Sequence, residues 1–589
     1  MKMKHIVLFI LVSLFILPFA ITNIDSDHDG ILLKPALDVA SGKVLFKESL
    51  TQYGTLTVFL QAVALTITPF LFGIRLSAVF SYAFIAVFLV AIWSRFLSKK
   101  LTLIALILWL SLAPFYNFYF HSWSSVYALV FQLVALLSIL RYFETKKKYH
   151  LFLSGIGAAL AFWSRQPVGV FLLASIFFLL ILTERLQMIK RKEAIRGMGI
   201  VFIGAAFASV PFFIYLIGNY ALTDWWIQSF LGAKAWAIAV RGISFIQVVK
   251  SLSIAKFWKE IHLYFIWLLL PLSALYLFFN SIKSIWHKRI KSSKEKILMV
   301  STMILLASWM QYYPVTEPSH FFWAATPMVG FFVYFLHQFV FRRLSPASYF
   351  LSFIFTVMVI TVFIWRISVG YDRVRKADQK IDGMTILTGI RVTSEEKKTI
   401  ESFKAEILKY TNQKTTYINT STDYFVALLA PERFHPFPPF SAHWAFMDTL
   451  YPTYLSRIHT YVAQNHPAFV TRWGPYFDNY CKLPYADFFD PKTNLYVFRP
   501  GIIRLQQESD GIIRVILAEA GRLNSIRLKE EDIETFLKPK DLSFPFHFNA
   551  GDTFLMPSLN RYAPKKTYLL FNIEGTGFEK CTLFKTVLP

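Results

Sequence analysis

The stretch from Asn23 to Tyr53, NIDSDHDGILLKPALDVASGKVLFKESLTQY, sets three carboxylates and a histidine within five residues: Asp25, Asp27, His28 and Asp29. An apolar run beginning at Ile6 precedes them, so they stand at the water edge of a first membrane helix and not in lipid, where each charge would be costly. A carboxylate so placed can act as a general base, with Asp27 and Asp29 the leading candidates, and His28 can bind an acceptor, a phosphate or a metal. Arg165 is a second candidate. It lies between two apolar runs, in WSRQPVGVFLLAS, and a phosphate would give its guanidinium a partner whose oxygens match the planar fork. Glu317 and His320, one helical turn apart, could reach into the same cavity. Together Asp27, Asp29, His28, Glu317 and His320 offer donors for a divalent ion, Mg or Mn by their oxygens and Mn by the imidazoles, although no ligand spacing fixes such a site.

Each residue also has a plainer role. Aspartates in this position can cap a helix starting near Ile31, and a histidine beside carboxylates can be no more than their hydrogen-bond partner. Arg165 can snorkel to the interface, and Glu317 with His320 can form a cap or an interfacial salt bridge. His121 and Trp123, like Trp225, Trp226, Trp236 and Trp258, suit interface anchoring as well as a platform for sugar or lipid.

The elements that must position these groups are membrane helices. The chain has 589 residues, of which 55% are hydrophobic and 18% aromatic, and its mean hydropathy is +0.46. After the first span, apolar segments run near 76–96, 101–119, 124–142, 150–164, 167–183, 197–219, 262–280, 297–313, 320–340 and 349–366, making about eleven crossings. The formal charge of +25 would suggest nucleic acid in a soluble chain. Here the basic residues cluster in alternate short loops, as at Lys146 to Lys148 and Lys190 to Lys192, which marks those loops as cytoplasmic and excludes nucleic acid as the partner. Two cysteines, Cys481 and Cys581, leave room for one disulfide and no cysteine metal cluster.

Two segments decide the parity. The start, MKMKHIVLFILVSLFILPFA, resembles a signal peptide, but Pro18 occupies a place where cleavage wants a small residue, so an uncleaved span is expected. Thr55 to Gly73 is long enough to cross, yet counting it would send every basic loop to the wrong side. With Gln61 inside it and Pro69 and Gly73 at its end, it reads as a juxtamembrane helix, leaving Arg75 at the outer end of the next span. The first loop (23–75), His121, Arg165, the stretch 220–261, the turn 313–320 and everything after Arg366 then share the outer face. Beyond about Gly370 no run is long enough to span. MTILTGI, TTYIN and YVFRP read as strands and SEEKKTIESFKAEILKY as an amphipathic helix, giving an α/β domain over 370–500, with a β-rich segment over 501–589.

In this order the motifs resemble those of the membrane glycosyltransferases of the C-type fold (GT-C), which include protein O-mannosyltransferases and bacterial aminoarabinose transferases. DSDHDG followed by ALDVASGKVLF is similar to the family's acidic first-loop opening and the helix after it. TQYGTLTVFLQA is similar to its second juxtamembrane helix, SRQPVGV to an outer turn that carries a Lys-Gly-Pro pattern in aminoarabinose transferases, and YPVTEPSHFFWAATPM to a late outer motif. His28 breaks the Asp-Glu pair common in relatives, and Arg165 stands where they carry lysine.

The resemblance covers roughly the first 370 residues. It implies a polytopic α-helical GT-C-like domain over 1–369 with an extracytoplasmic C-terminal domain. The implied activity is transfer of a hexose or pentose from a polyprenyl-phosphate donor to a glycan, lipid or protein acceptor. Asp27, Asp29 and His28 would be catalytic, Arg165 would bind the donor phosphate, and Tyr53, Glu317 and His320 would bind substrate, with Mn or Mg as a possible cofactor. The setting would be the bacterial inner membrane, among its lipids. A transporter or flippase for lipid-linked sugars is the alternative, but it would place ionisable residues near the middle of its spans. A receptor-like protein would tolerate loss of the first-loop acids.

Overall fold

The computed structural model describes residues 3–51, 53–116, 120–234, 265–287, 293–312, 318–341, 348–381, 383–410, 417–419, 429, 469–471, 483–484, 503–507, 513–517, 521–530, 533–537, 543–549, 551–556, 567–575 and 578–587. The chain forms two compact units, Met1–Ile24 with Pro35–Ser394, and Asp25–Lys34 with Glu395–Pro589.

The first unit is a bundle of helices. Seven helices among the described residues are long and apolar enough to cross a membrane. They are α1 (Met3–Ala20), α4 (Leu71–Trp93), α6 (Ser124–Thr145), α8 (Gln166–Arg185), α9 (Arg191–Gly218), α11 (Phe265–Trp286) and α15 (Ser348–Lys376). The other four expected spans are shorter or interrupted: α5 (Lys99–Ser111), α7 (Tyr149–Ser164), α12 (Ser293–Leu306) extended by a tight turn to Tyr312, and α13 (Pro318–Ala325) followed by α14 (Val329–Phe335). The loop before α4 carries α2 (Ser26–Ala40) and α3 (Thr55–Ile67). At 13 residues, α3 is about 20 Å long, too short to span, in agreement with the juxtamembrane expectation.

Lipid is the solvent for the outside of this bundle. On α9, Phe202, Ile203, Phe207, Ile214 and Ile217 are each 60% exposed or more, a density of bare apolar side chains that water would not tolerate. Inside, Trp93, Trp109, Phe322 and Phe331 belong to one continuous core. Small residues let α7 and α9 approach closely: a β-carbon on Gly155 would strike the carbonyl of Val201, and one on Gly204 that of Phe152.

Arginines join the helix ends. Arg75, with no exposed surface, donates from α4 to the carbonyls of Ala20, Thr22 and Asn23 at 3.1, 3.2 and 2.9 Å, satisfying acceptors at and just beyond the C-terminus of α1. Arg366 does the same from α15 for Ser111 and Ala113 at the end of α5, at 3.1 and 2.8 Å. These guanidiniums meet helix C-termini, where the dipole favours positive charge. After α15 the chain returns to the end of α1: Arg391 donates its N–H to Ile21 and accepts one from Asn23, both at 2.7 Å, beside the short ladder of β1 (Gln379–Lys380) and β2 (Arg391–Val392).

The second unit holds α16 (Ser394–Tyr410), matching the amphipathic helix read from the sequence, and short strands. β3 (Tyr417–Asn419), β4 (Phe469–Thr471) and β5 (Leu483–Pro484) form one sheet, with β3 parallel to β4. β6 (Ile503–Gln507) and β7 (Ile513–Leu517) make a hairpin. Next come β8 (Gly521–Glu530), β9 (Ile533–Leu537), β10 (Phe546–Phe548) and β11 (Thr553–Met556), the last pairing with β7. β12 (Thr567–Gly575) and β13 (Phe578–Val587) complete an antiparallel sheet in the order β10-β8-β12-β13, with β9 also on β8. One strand expectation fails. MTILTGI contains a single 3-10 turn, Thr385–Leu387, between glycines at positive φ (Gly383 at 70° and Gly389 at 86°), a backbone that bends before a strand can run. The expected strand YVFRP lies outside the described residues, as does Cys481.

Candidate functional site

The first loop is held in shape by its own polar groups. Asp25 caps α2, its Oδ1 accepting from the backbone N–H of His28 at 3.3 Å, while the Asp29 Oδ2 accepts from the Asp25 N–H at 2.9 Å. The two acids thus share the capping of one turn, in the manner of a capping box with its second acid one residue later, and α2 starts at Ser26 instead of near Ile31. Asp29 is 1% exposed. His28 Nδ1 lies 2.8 Å from the Asp25 Oδ2, so a carboxylate orients the ring as it would for proton transfer. Asp27 sits in the first turn of α2, and its side chain lies outside the described residues. Asp25 and His28 are the adjacent donors that this turn offers to a cation.

Farther along, Asp38 holds the loop's shape through Lys43 at 2.9 Å and the Ser49 hydroxyl at 2.7 Å. Gln228 then clasps the loop across the bundle, donating to the Phe46 carbonyl at 2.6 Å and accepting from the Thr51 N–H at 3.3 Å. It lies in a π-helical stretch, Ile227–Leu231, after α10 (Leu222–Trp226). Tyr215 adds a hydrogen bond to the Leu45 N–H at 2.8 Å. These ties bring Tyr53 and Gly54 to the turn between α7 and α8. Thr57 donates to the Ser164 carbonyl at 3.2 Å, and Gly54 lies so close that a β-carbon there would run into the carbonyl oxygens of Trp163 and Ser164.

Arg165 is the residue that this junction presents. It separates α7 from α8, with extended backbone at φ −154°, and its Nη2 donates to the Gln311 carbonyl at 2.8 Å, at the end of the turn that extends α12. The residue keeps some accessible surface, yet its surroundings are dense enough that desolvation lowers the guanidinium to about 10, with the nearby Tyr53 opposing the shift. It remains a cation at any physiological pH.

Beside it stands an aromatic cluster. The ring of Trp123 lies 6.2 Å from Tyr53, 5.1 Å from His121, 6.3 Å from His320 and 6.0 Å from Trp323. His320, 9% exposed, is 6.1 Å from Trp323 within α13. Tyr53, Arg165, His320, His121 and Trp123 therefore gather at one end of the bundle. Glu317, Trp236 and Trp258 lie outside the described residues. Trp225 is buried against Trp163, centroids 5.3 Å apart, and is core, while Trp226 is half exposed.

Three residues here escape a reading by type and spacing: Gly54, Gln166 and Gln311. Gln166 and Gln311 each carry the same signal, a polar amide at the outer end of an apolar run.

No family model matches the chain, and no curated protein matches it. Among solved structures, the oligosaccharyltransferase of Archaeoglobus fulgidus in the apo form is 12% identical over 80% of this chain and 69% of its own, with a TM-score of 0.45. ArnT from Cupriavidus metallidurans, bound to undecaprenyl phosphate, is 10% identical over 80% of this chain and 93% of its own, with a TM-score of 0.46. With seven helices among the described residues long and apolar enough to cross a bilayer, the chain is a multi-pass α-helical membrane protein.

Proposed function

We propose that this chain is a membrane glycosyltransferase that moves a sugar from a polyprenyl-phosphate donor to a glycan, lipid or protein acceptor outside the cytoplasm. The observation that carries the reading is Arg165: a charged, largely desolvated guanidinium at the turn between α7 and α8, near Tyr53. Such a group suits a phosphate that arrives on a lipid. The order of acidic first loop, juxtamembrane helices, outer arginine turn and late outer motif supports the same reading.

In the proposed reaction the acceptor hydroxyl loses its proton to a first-loop aspartate and its oxygen bonds to the anomeric carbon. The bond from that carbon to the phosphate oxygen breaks, and the electron pair leaves with the lipid phosphate, whose growing charge Arg165 stabilises. A single in-line displacement inverts the anomeric centre. Since Asp29 is buried in a capping bond, Asp27 is assigned as the base and Asp29 as its scaffold. A divalent ion bound by Asp25 and His28, a mixed set better suited to Mn than Mg, would add positive charge. The protein would sit in the bacterial inner membrane with its C-terminal unit outside the cytoplasm.

The test is binding of undecaprenyl monophosphate to the protein in nanodiscs. Arg165→Ala should lose at least about tenfold in affinity, a loss of about 1.4 kcal/mol, and Arg165→Lys less than that, while Asp27→Asn keeps affinity. Equal binding by all would remove Arg165 from the site.

A further inference from the structure

Gln311 has no exposed surface, and among the described residues neither its amide nitrogen nor its amide oxygen has a hydrogen-bond partner. A native fold seldom leaves one such atom unmet, and here both ends of one amide are unmet. The residue's own backbone carbonyl receives the Arg165 guanidinium at 2.8 Å, so the unsatisfied amide hangs from the residue that anchors the proposed phosphate ligand. Nearby, Gln166, 8% exposed, has an amide nitrogen in the same state, and it opens the 20-residue α8 at an N-terminus without a side-chain cap. Helix N-termini favour anions.

The missing partners define a ligand. The Gln166 nitrogen and the α8 N-terminus require acceptors, as phosphate oxygens are. Gln311 requires an acceptor for its nitrogen and a donor for its oxygen. A bare phosphate dianion supplies only acceptors, whereas a sugar hydroxyl supplies both.

We propose that Gln311 reads a hydroxyl of the donor sugar beside the phosphate held by Arg165, so that the site distinguishes a loaded carrier from an empty one. The inference rests on the glycosyltransferase reading and adds what that reading lacks, a residue that selects the sugar-bearing lipid. It also lets the product leave: once the sugar is transferred, the remaining phosphate has nothing to offer the Gln311 oxygen.

The test compares affinities in nanodiscs for undecaprenyl monophosphate and for undecaprenyl phosphates carrying glucose, galactose, mannose, N-acetylglucosamine or arabinose. For the unaltered protein at least one loaded carrier should bind about tenfold more tightly than the bare one. Gln311→Leu should bring that ratio to about one while leaving bare-carrier affinity unchanged, and Arg165→Ala should weaken both. Because the Gln311 side-chain amide meets no partner among the described residues, Gln311→Leu should melt no lower than the unaltered protein. Should the branched side chain not fit, the near-isosteric Gln311→Met serves in its place. If no loaded carrier outbinds the bare one, or if the ratio survives in the Gln311 variants, the amide holds only water and the inference is overturned. Failure of Arg165→Ala to weaken either ligand would instead overturn the glycosyltransferase reading beneath it.

Discussion

Gly54→Ala should destabilise the protein although the backbone at this position is ordinary. With φ −64° and ψ 146°, Gly54 has a conformation that any residue adopts, so its glycine is required by space and not by strain. An added methyl would be driven into the carbonyl oxygens of Trp163 and Ser164, which are backbone atoms of the α7 to α8 turn and cannot rotate away. Overpacking of this kind costs about 1–3 kcal/mol. Separating the two segments would also break the bond from Thr57 to the Ser164 carbonyl, 3.2 Å long and buried, worth about 1 kcal/mol. The sum, about 2–4 kcal/mol, is readable by reversible unfolding in mixed SDS micelles. The same displacement should move Arg165, adjacent to Ser164, so carrier binding should weaken together with stability. Gly199→Ala is the control: it lies inside α9 with nothing within 4 Å of the added atom, and should be neutral or stabilising by about 0.5–1 kcal/mol. Equal stability of Gly54→Ala and the unaltered protein would refute the close approach of the first loop to the arginine turn.

Arg75→Met should lower stability by about 3–5 kcal/mol in the same unfolding assay, because it strips the donor from three carbonyls in a site closed to water. Asp29→Ala should cost about 1 kcal/mol by removing a capping bond, and Asp29→Asn, which keeps an acceptor oxygen, should retain most stability and turnover. Loss of turnover in Asp29→Asn with retention in Asp27→Asn would reverse their assigned roles. The pH dependence of binding should come from the ligand. Burial lowers Arg165 to about 10, so its desolvation penalty is present in full at neutral pH and is relieved only as pH rises through that value. Titration between pH 5 and 8 should therefore show bare-carrier affinity falling below about pH 6, as the phosphate takes its second proton. A sugar-linked phosphodiester has no such proton, and its affinity should stay level.

Much of this arrangement was legible in the residues. The juxtamembrane reading of α3 follows from Gln61 and Pro69, and the placing of Arg75 at a helix end follows from the parity of the basic loops. What the sequence leaves hidden is which polar group meets which. Asp25 and Asp29 are two acids in a cluster until the first turn of α2 shows that Asp25 accepts from the His28 N–H and Asp29 from the Asp25 N–H. Gln311 is a polar residue in WMQYY until the fold closes around its amide. Glycine at position 54 looks like turn punctuation, yet the turn does not need it; a segment more than a hundred residues away does. Such facts are tertiary, since they depend on distance across the bundle and leave no period in the chain.

The proposed transferase must break a bond between a sugar and a lipid phosphate. The direct measurement is release of undecaprenyl monophosphate from the tightest-binding loaded carrier by the protein in sealed proteoliposomes, supplied with membrane extract as acceptor. Release that depends on the extract and falls at least about a hundredfold in Arg165→Ala and Asp27→Asn is the predicted result, since each variant removes a group assigned to the proposed transition state. Movement of the intact sugar-bearing lipid between leaflets, with no monophosphate formed, would rule out the transferase and identify a flippase.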